Sequence, residues 1–147
     1  MIEERSCGAL IFFLKNNIPN YLLLKYPTYW GFVKGNIEKN EDERKTVLRE
    51  TKEEANISKI QLIEGFKEEI GYFYKFEGKI IKKKVIFLLG KISEEESKKV
   101  KISFEHEAFK FCNYEDALKM FRHKNEKQIL EKADKFLKEY KKQKRLL

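Results

Sequence analysis

The feature of this sequence that most restricts its fold is residues 42–55, which divide into three strips when wound as a helix. At about 100° per residue, Val47, Leu48, Thr51 and Ala55 share one arc of about 100° and form the side that must be buried. Lys45, Arg49 and Lys52 make a basic strip, and Glu43, Glu50, Glu53 and Glu54 an acidic one. Such a helix needs another layer to cover its apolar side. Its carboxylates at i, i+3 and i+4 repel one another and destabilise a bare helix. A hard divalent cation bound through oxygen would offset that repulsion, and Arg49 can reach Glu53 one turn on. On helix geometry alone the strip reads first as solvated surface, because Glu94-Glu95-Glu96 is a similar run with no evident purpose.

Around this helix the pattern alternates strands and helices. Residues 6–14 are an apolar run suited to a strand buried on both faces. Asn16, Asn17 and Pro19 supply a turn, and Tyr21–Leu24 a second strand. Residues 26–40, with Pro27, Gly31, Gly35 and the only tryptophan, Trp30, read as a loop with a brief strand near Phe32. Residues 61–76 and 80–91, broken at Glu77-Gly78-Lys79, predict a long hairpin. Ser93–Lys99 is charged and expected at the surface. A short strand at 107–112 and a short helix at 114–121 precede a last helix, whose apolar stripe is Ile129, Leu130, Ala133, Phe136, Leu137 and Tyr140. The basic end, 141–147, is expected to be a solvated tail.

At 147 residues the chain suits one domain with a real core. The net charge of +8 favours an anionic partner such as phosphate, nucleotide or nucleic acid. Cys7 and Cys112 lie in strand-like stretches and are expected as buried free thiols of a reducing compartment. No apolar run approaches the roughly 18 residues that span a bilayer, and no secretory signal is visible, so a cytoplasmic protein is expected.

Reading outward from the acidic strip, the sequence resembles the Nudix box, G-x5-E-x7-R-E-U-x-E-E-x-G-U with U apolar. Gly35, Glu41, Arg49, Glu50, Glu53, Glu54 and Ile57 are in register, so the box spans 35–57. Thr51 replaces the usual aliphatic residue and Asn56 the last glycine; asparagine is the best substitute at a left-handed helix end. The run Trp30–Glu38 resembles the W-x-x-P-K-G-H-V-E segment of asymmetric diadenosine tetraphosphate hydrolases, with Val33 for proline and Asn36 for histidine. Cys7-Gly8-Ala9, Glu64-Gly65-Phe66-Lys67 and Phe104–Phe109 are similar to the same group.

The resemblance implies an α/β fold, the Nudix α/β/α sandwich with a mixed sheet between helices. It implies that Glu50, Glu53, Glu54 and the Gly35 carbonyl hold Mg2+, for which Mn2+ could substitute, with Glu41 orienting Arg49 and Arg49 the carboxylates. Glu50, Glu53 or Glu105 would serve as general base. Lys34 and Lys83 would contact phosphate, and Tyr72 and Phe109 would stack on adenine, with Tyr74 on the same strand face as Tyr72. Lys82-Lys83-Lys84 also reads as a charged strand end, and His106 and His123 as hydrogen-bonded structural residues. The implied reaction is Mg2+-dependent hydrolysis of a nucleoside diphosphate-linked substrate, foremost diadenosine tetraphosphate to ATP and AMP, by a monomer. Two alternatives stay open: removal of pyrophosphate from an RNA 5′ end or from another nucleotide, and a non-catalytic nucleotide or RNA sensor.

Overall fold

The computed structural model describes residues 2–146, with side chains through residue 142. Its chain order is β1 (Ile2–Lys15), β2 (Ile18–Lys25), β3 (Trp30–Gly31), β4 (Val33–Asn36), α1 (Glu43–Ala55), β5 (Gln61–Leu62), β6 (Glu68–Phe76), β7 (Lys79–Lys91), α2 (Glu94–Ser97), β8 (Ala108–Cys112), α3 (Tyr114–Met120) and α4 (Lys124–Leu146). All strands join one mixed sheet. Its main path runs β3-β2-β1-β7-β5, with β4 on β1, β6 on β7 and β8 on β2.

The central strand β1 is buried on both faces, as its unbroken apolar run requires. Leu10 and Phe12 face one cluster with Ile129, Leu130, Ala133 and Leu137 of α4. Cys7, Ala9 and Ile11 face the other, with Val47 and Ala55 of α1. The sheet therefore lies between α1 on one side and α3 and α4 on the other. Tyr21 donates to Asp134 at 2.7 Å, a buried bond that fixes α4 on β2. Cys7 and Cys112 are buried and free.

Several boundaries differ from expectation, each for a local reason. β1 begins at Ile2 because its polar start pairs with β7 in parallel, placing Glu3 and Glu4 opposite Lys82 and Lys83. Cross-strand charge thus extends the strand beyond its apolar run. The turn between β1 and β2 needs only Asn16 and Asn17, both at positive φ, and Pro19 lies inside β2. Glu77 and Gly78, also at positive φ, make the equivalent turn between β6 and β7. The segment 61–76 is two strands rather than one. Residues 26–40 contain both β3 and β4, and α4 runs on through the basic end as far as Leu146.

The charged segment 93–99 is not simply surface. Glu96 is buried and accepts from the backbone N–H of Ser58 and Lys59, at 2.9 and 3.3 Å, which anchors the chain leaving α1. Those donors hold its carboxyl below the usual range.

Where β4 crosses β1, a Cβ on Gly8 would stand 2.3 Å from the carbonyl oxygen of Val33 and 2.9 Å from the Cβ of Lys34. A backbone oxygen cannot yield as a side chain can. Gly8→Ala is therefore expected to lower stability by about 1–3 kcal/mol, the usual cost of overpacking. Urea unfolding would register this as a lower midpoint, and an unmoved midpoint would show that the close approach is dispensable.

Candidate active site

The site is built where β4 hands over to α1. Asp42 caps the helix by accepting from the N–H of Lys45 at 2.8 Å. Asn56 ends it in the left-handed conformation, φ 59° and ψ 33°, as expected for the residue standing in for glycine. The buried side of α1 is rotated from the expected arc: Thr46, Val47, Thr51, Glu54 and Ala55 are buried, while Leu48 is 44% exposed. The rotation carries Glu54 off the solvent-facing strip and into the protein.

Arg49 organises the carboxylates. Its Nε and Nη2 donate to Glu41 at 2.7 and 3.0 Å, and Nη2 also donates to the Asn36 carbonyl at 2.9 Å. Its Nη1 donates to Glu50 at 2.6 Å and Glu53 at 3.2 Å, with Glu38 at 3.5 Å. Glu41 is held in turn by donation from the Glu38 N–H and the Thr46 hydroxyl, both at 3.0 Å. The Arg49 hydrogen bonds lower the Glu41 carboxyl to about 2. Gly35 has no side chain because Glu50 lies against it: a Cβ there would be 2.1 Å from the Glu50 carboxyl carbon.

Glu54 behaves differently. Its Oε1 accepts from the Lys34 backbone N–H at 3.0 Å, and its Oε2 lies 2.8 Å from Nε2 of His106. Burial above all, with help from Glu50 and Glu105, pushes this carboxyl up to about 8. Burial also lowers His106. Although the pair stands at ion-pair distance, both shifts favour neutral partners, so we read it as a neutral hydrogen bond in the cation-free protein. Desolvation raises Glu50 as well, against the opposing pull of Arg49. Each raised carboxyl is one that an added positive charge would ionise.

Glu50, Glu53 and Glu54 line a cavity of about 370 Å3 together with Lys34, Gly35, Ser103, Phe104 and Glu105. Its acidic donor set offers oxygen alone, which suits a hard divalent cation, and the bare backbone at Gly35 lets the Glu50 carboxyl lie against it. Among the described residues no three carboxylate, imidazole or thiolate groups already converge on one point; Arg49 draws Glu50 and Glu53 together instead.

Lys34 also lines a second cavity, of about 470 Å3, with Tyr29, Gly31, Phe32, Ile70, Tyr72, Phe87 and residues 123–126. Tyr29 stacks on Tyr26 with centroids 4.8 Å apart, and the Lys34 ammonium sits 5.6 and 5.4 Å from the two ring centroids. The enclosed Oε2 of Glu126 has no hydrogen-bond partner among the described residues. Burial, with the Glu126 charge adding to it, pushes Tyr29 up to about 12.

Of the residues singled out by sequence, the fold thus brings Lys34, Gly35, Glu50, Glu53, Glu54 and Glu105 to one cavity, Arg49 and Glu41 behind it, and Tyr72 to the adjoining one. Lys83 stands behind β4, donating to Glu4 at 3.4 Å and Asn36 at 3.3 Å. Tyr74 is tied to Glu4. Phe109 lies on β8 opposite Leu24 and lines neither cavity. Sequence reasoning passed over Tyr29 and Glu126, and treated His106 as structural with no link to the carboxylates. No local pattern marks these residues; only the tertiary fold brings them in.

Comparison with known proteins agrees with this geometry. A family profile described as NUDIX domain matches residues 8–133. The chain is 32% identical to a bis(5′-nucleosyl)-tetraphosphatase [asymmetrical] of Sus scrofa, over 90% of this chain and 95% of that one. It is 35% identical to the protein of that name in Caenorhabditis elegans, over 90% and 96%. The crystal structure of a C. elegans Ap4A hydrolase binary complex superposes with a TM-score of 0.79 at 33% identity, covering 91% of this chain and 97% of that one.

The raised Glu54 carboxyl sets a pH dependence. Between the ordinary value of 4.5 and about 8 the folded protein holds a proton that the unfolded chain does not, so stability falls as pH rises through that window. The lowered His106 acts in the opposite sense, but only below its ordinary value of 6.5. The melting temperature of the metal-free protein is therefore expected to fall from pH 6.5 to 8, and Glu54→Gln to remove that slope. An identical slope in the variant would refute the assignment.

Proposed function

The chain belongs to the Nudix family and is a pyrophosphohydrolase; from that premise we propose that it cleaves bis(5′-nucleosyl)-tetraphosphate asymmetrically, diadenosine tetraphosphate to ATP and AMP, with Mg2+. The observation that carries this reading is the pair of adjoining cavities, one acidic and one aromatic, joined at Lys34. A nucleotide with a long phosphate chain has the two parts that such a site separates. Tyr29 and Tyr72 supply faces for the base, and Lys34 a positive charge where the phosphates leave it.

Glu50, Glu53, Glu54 and the Gly35 carbonyl would hold Mg2+, which fits sites that share the ion between carboxylates and substrate phosphates. When bound, it would neutralise phosphate charge and lower the pKa of a water. Arg49 aligns Glu50 and Glu53 and is itself aligned by Glu41, as residues behind metal ligands do. Glu105, lining the cavity from the loop after α2, is the cavity carboxylate bonded to neither Arg49 nor His106, and we assign it the proton-accepting role. Lys83 supports the site through Asn36. Phe109 is left out of it. We take the enzyme to act as a monomer in a reducing cytoplasm, which its two buried free thiols suit.

Incubation with Mg2+ and a panel of diadenosine polyphosphates, nucleotide sugars, dNTPs and 5′-triphosphorylated RNA tests this directly. Diadenosine tetraphosphate is expected to give ATP and AMP, with oxygen from labelled water in the AMP. Two molecules of ADP would refute asymmetric cleavage. Glu54→Gln is expected to lower kcat by at least about 100-fold, the upper range for losing mere support behind a ligand; undiminished turnover would remove Glu54 from the metal site.

A further inference from the structure

Phe104 is 97% exposed, far beyond any other large apolar side chain among the described residues. It is not on a loose loop. The Ser103 N–H donates to the Glu54 carbonyl at 3.1 Å, tying the segment to the end of α1. The His106 N–H donates to the Ser103 carbonyl at 3.1 Å, closing a four-residue turn with Phe104 and Glu105 at its corners. The Glu107 N–H then donates to Lys25 at 2.9 Å, fixing the far side to β2. A phenyl ring is thus held in water by an anchored turn, on the rim of the cavity that the three glutamates line.

The placement has a direction. Phe104 lines the acidic cavity and not the aromatic one, and the two cavities share Lys34. A mononucleotide would need only the aromatic cavity for its base. A molecule with a base at each end of a phosphate chain would leave its second base outside the acidic cavity, beside Phe104. Every base has a flat π-face, so an exposed aromatic ring can stack on it without hydrogen bonds to read its identity.

We propose that Phe104 is the stacking platform for the second base of a dinucleoside polyphosphate, and so sets the preference for two-base over one-base substrates. This rests on the proposed substrate class but assigns a subsite of its own. Such a platform tolerates different second bases, whereas the aromatic cavity would hold the first.

The test compares diadenosine tetraphosphate with adenosine 5′-tetraphosphate, which has the same phosphates and one base. In Phe104→Ala the ratio of KM for the two-base substrate to KM for the one-base substrate is expected to rise about tenfold, within the range found for one stacked base. Phe104→Leu should behave like alanine, because it is apolar but has no flat face, and Phe104→Trp should restore the wild-type ratio. An unchanged ratio in Phe104→Ala, or full retention by leucine, would overturn the proposal. Calorimetry with methylene-bridged, non-hydrolysable forms of both ligands gives the same ratio without turnover. If the wild type fails to hydrolyse diadenosine tetraphosphate, the proposed reaction falls, while that binding ratio still decides for or against Phe104.

Discussion

Four carboxylates, Glu38, Glu41, Glu50 and Glu53, crowd around one guanidinium, and the site cannot be assembled without that contact. Negative side chains this close would push the start of α1 away from the loop that precedes it. Arg49 reverses the sign: its planar fork reaches Glu41 on one edge and Glu50 on the other, while Nη2 draws in the carbonyl of Asn36. A lysine could neutralise the charge but not reproduce the geometry, because it lacks a rigid set of divergent donors. The arginine therefore joins strand, loop and helix into one unit.

Within that unit the glutamates divide into two kinds. Glu41 is strongly hydrogen-bonded and remains charged well into acid. Glu54 is enclosed, with a backbone N–H on one oxygen and an imidazole on the other, and holds its proton to unusually high pH. The contrast follows from burial and partners, not residue type. One carboxylate is a fixed strut; the other gains charge only when something positive arrives.

Much of this was legible beforehand, and the failures share one cause. The register of Gly35, Glu41, Arg49, Glu50, Glu53 and Glu54 is a one-dimensional record of a loop and three helical turns, so spacing alone conveys it. The two-faced burial of β1 was likewise visible as an unbroken apolar run. Leu48 went to solvent, and Glu54 inward, because an imidazole from the loop before β8 and a backbone N–H from β4 make burial tolerable for a carboxyl. Glu96 escaped notice within its acidic triplet for the same reason: its partners lie at Ser58 and Lys59. Tyr29, Glu126 and His106 come from segments far apart in sequence, and nothing local marks them. Phe109 shows the converse: the resemblance put it at the base, but pairing with β2 sets it opposite Leu24, outside both cavities.

The parallel pairing of β1 with β7, from Ile2↔Ile81 to Phe12↔Lys91, has a consequence for how the protein is made. The hairpins β1–β2 and β6–β7 close through short turns of positive φ and can form as soon as their residues exist. The strand at the centre of the sheet, though, cannot find its main neighbour until the chain has been synthesised beyond residue 91. Contacts of such long sequence separation are slow to form, and until then the apolar run 6–14 has one edge unpaired. The central strand thus emerges well before its long partner, and in between its unpaired edge is what the growing chain leaves open.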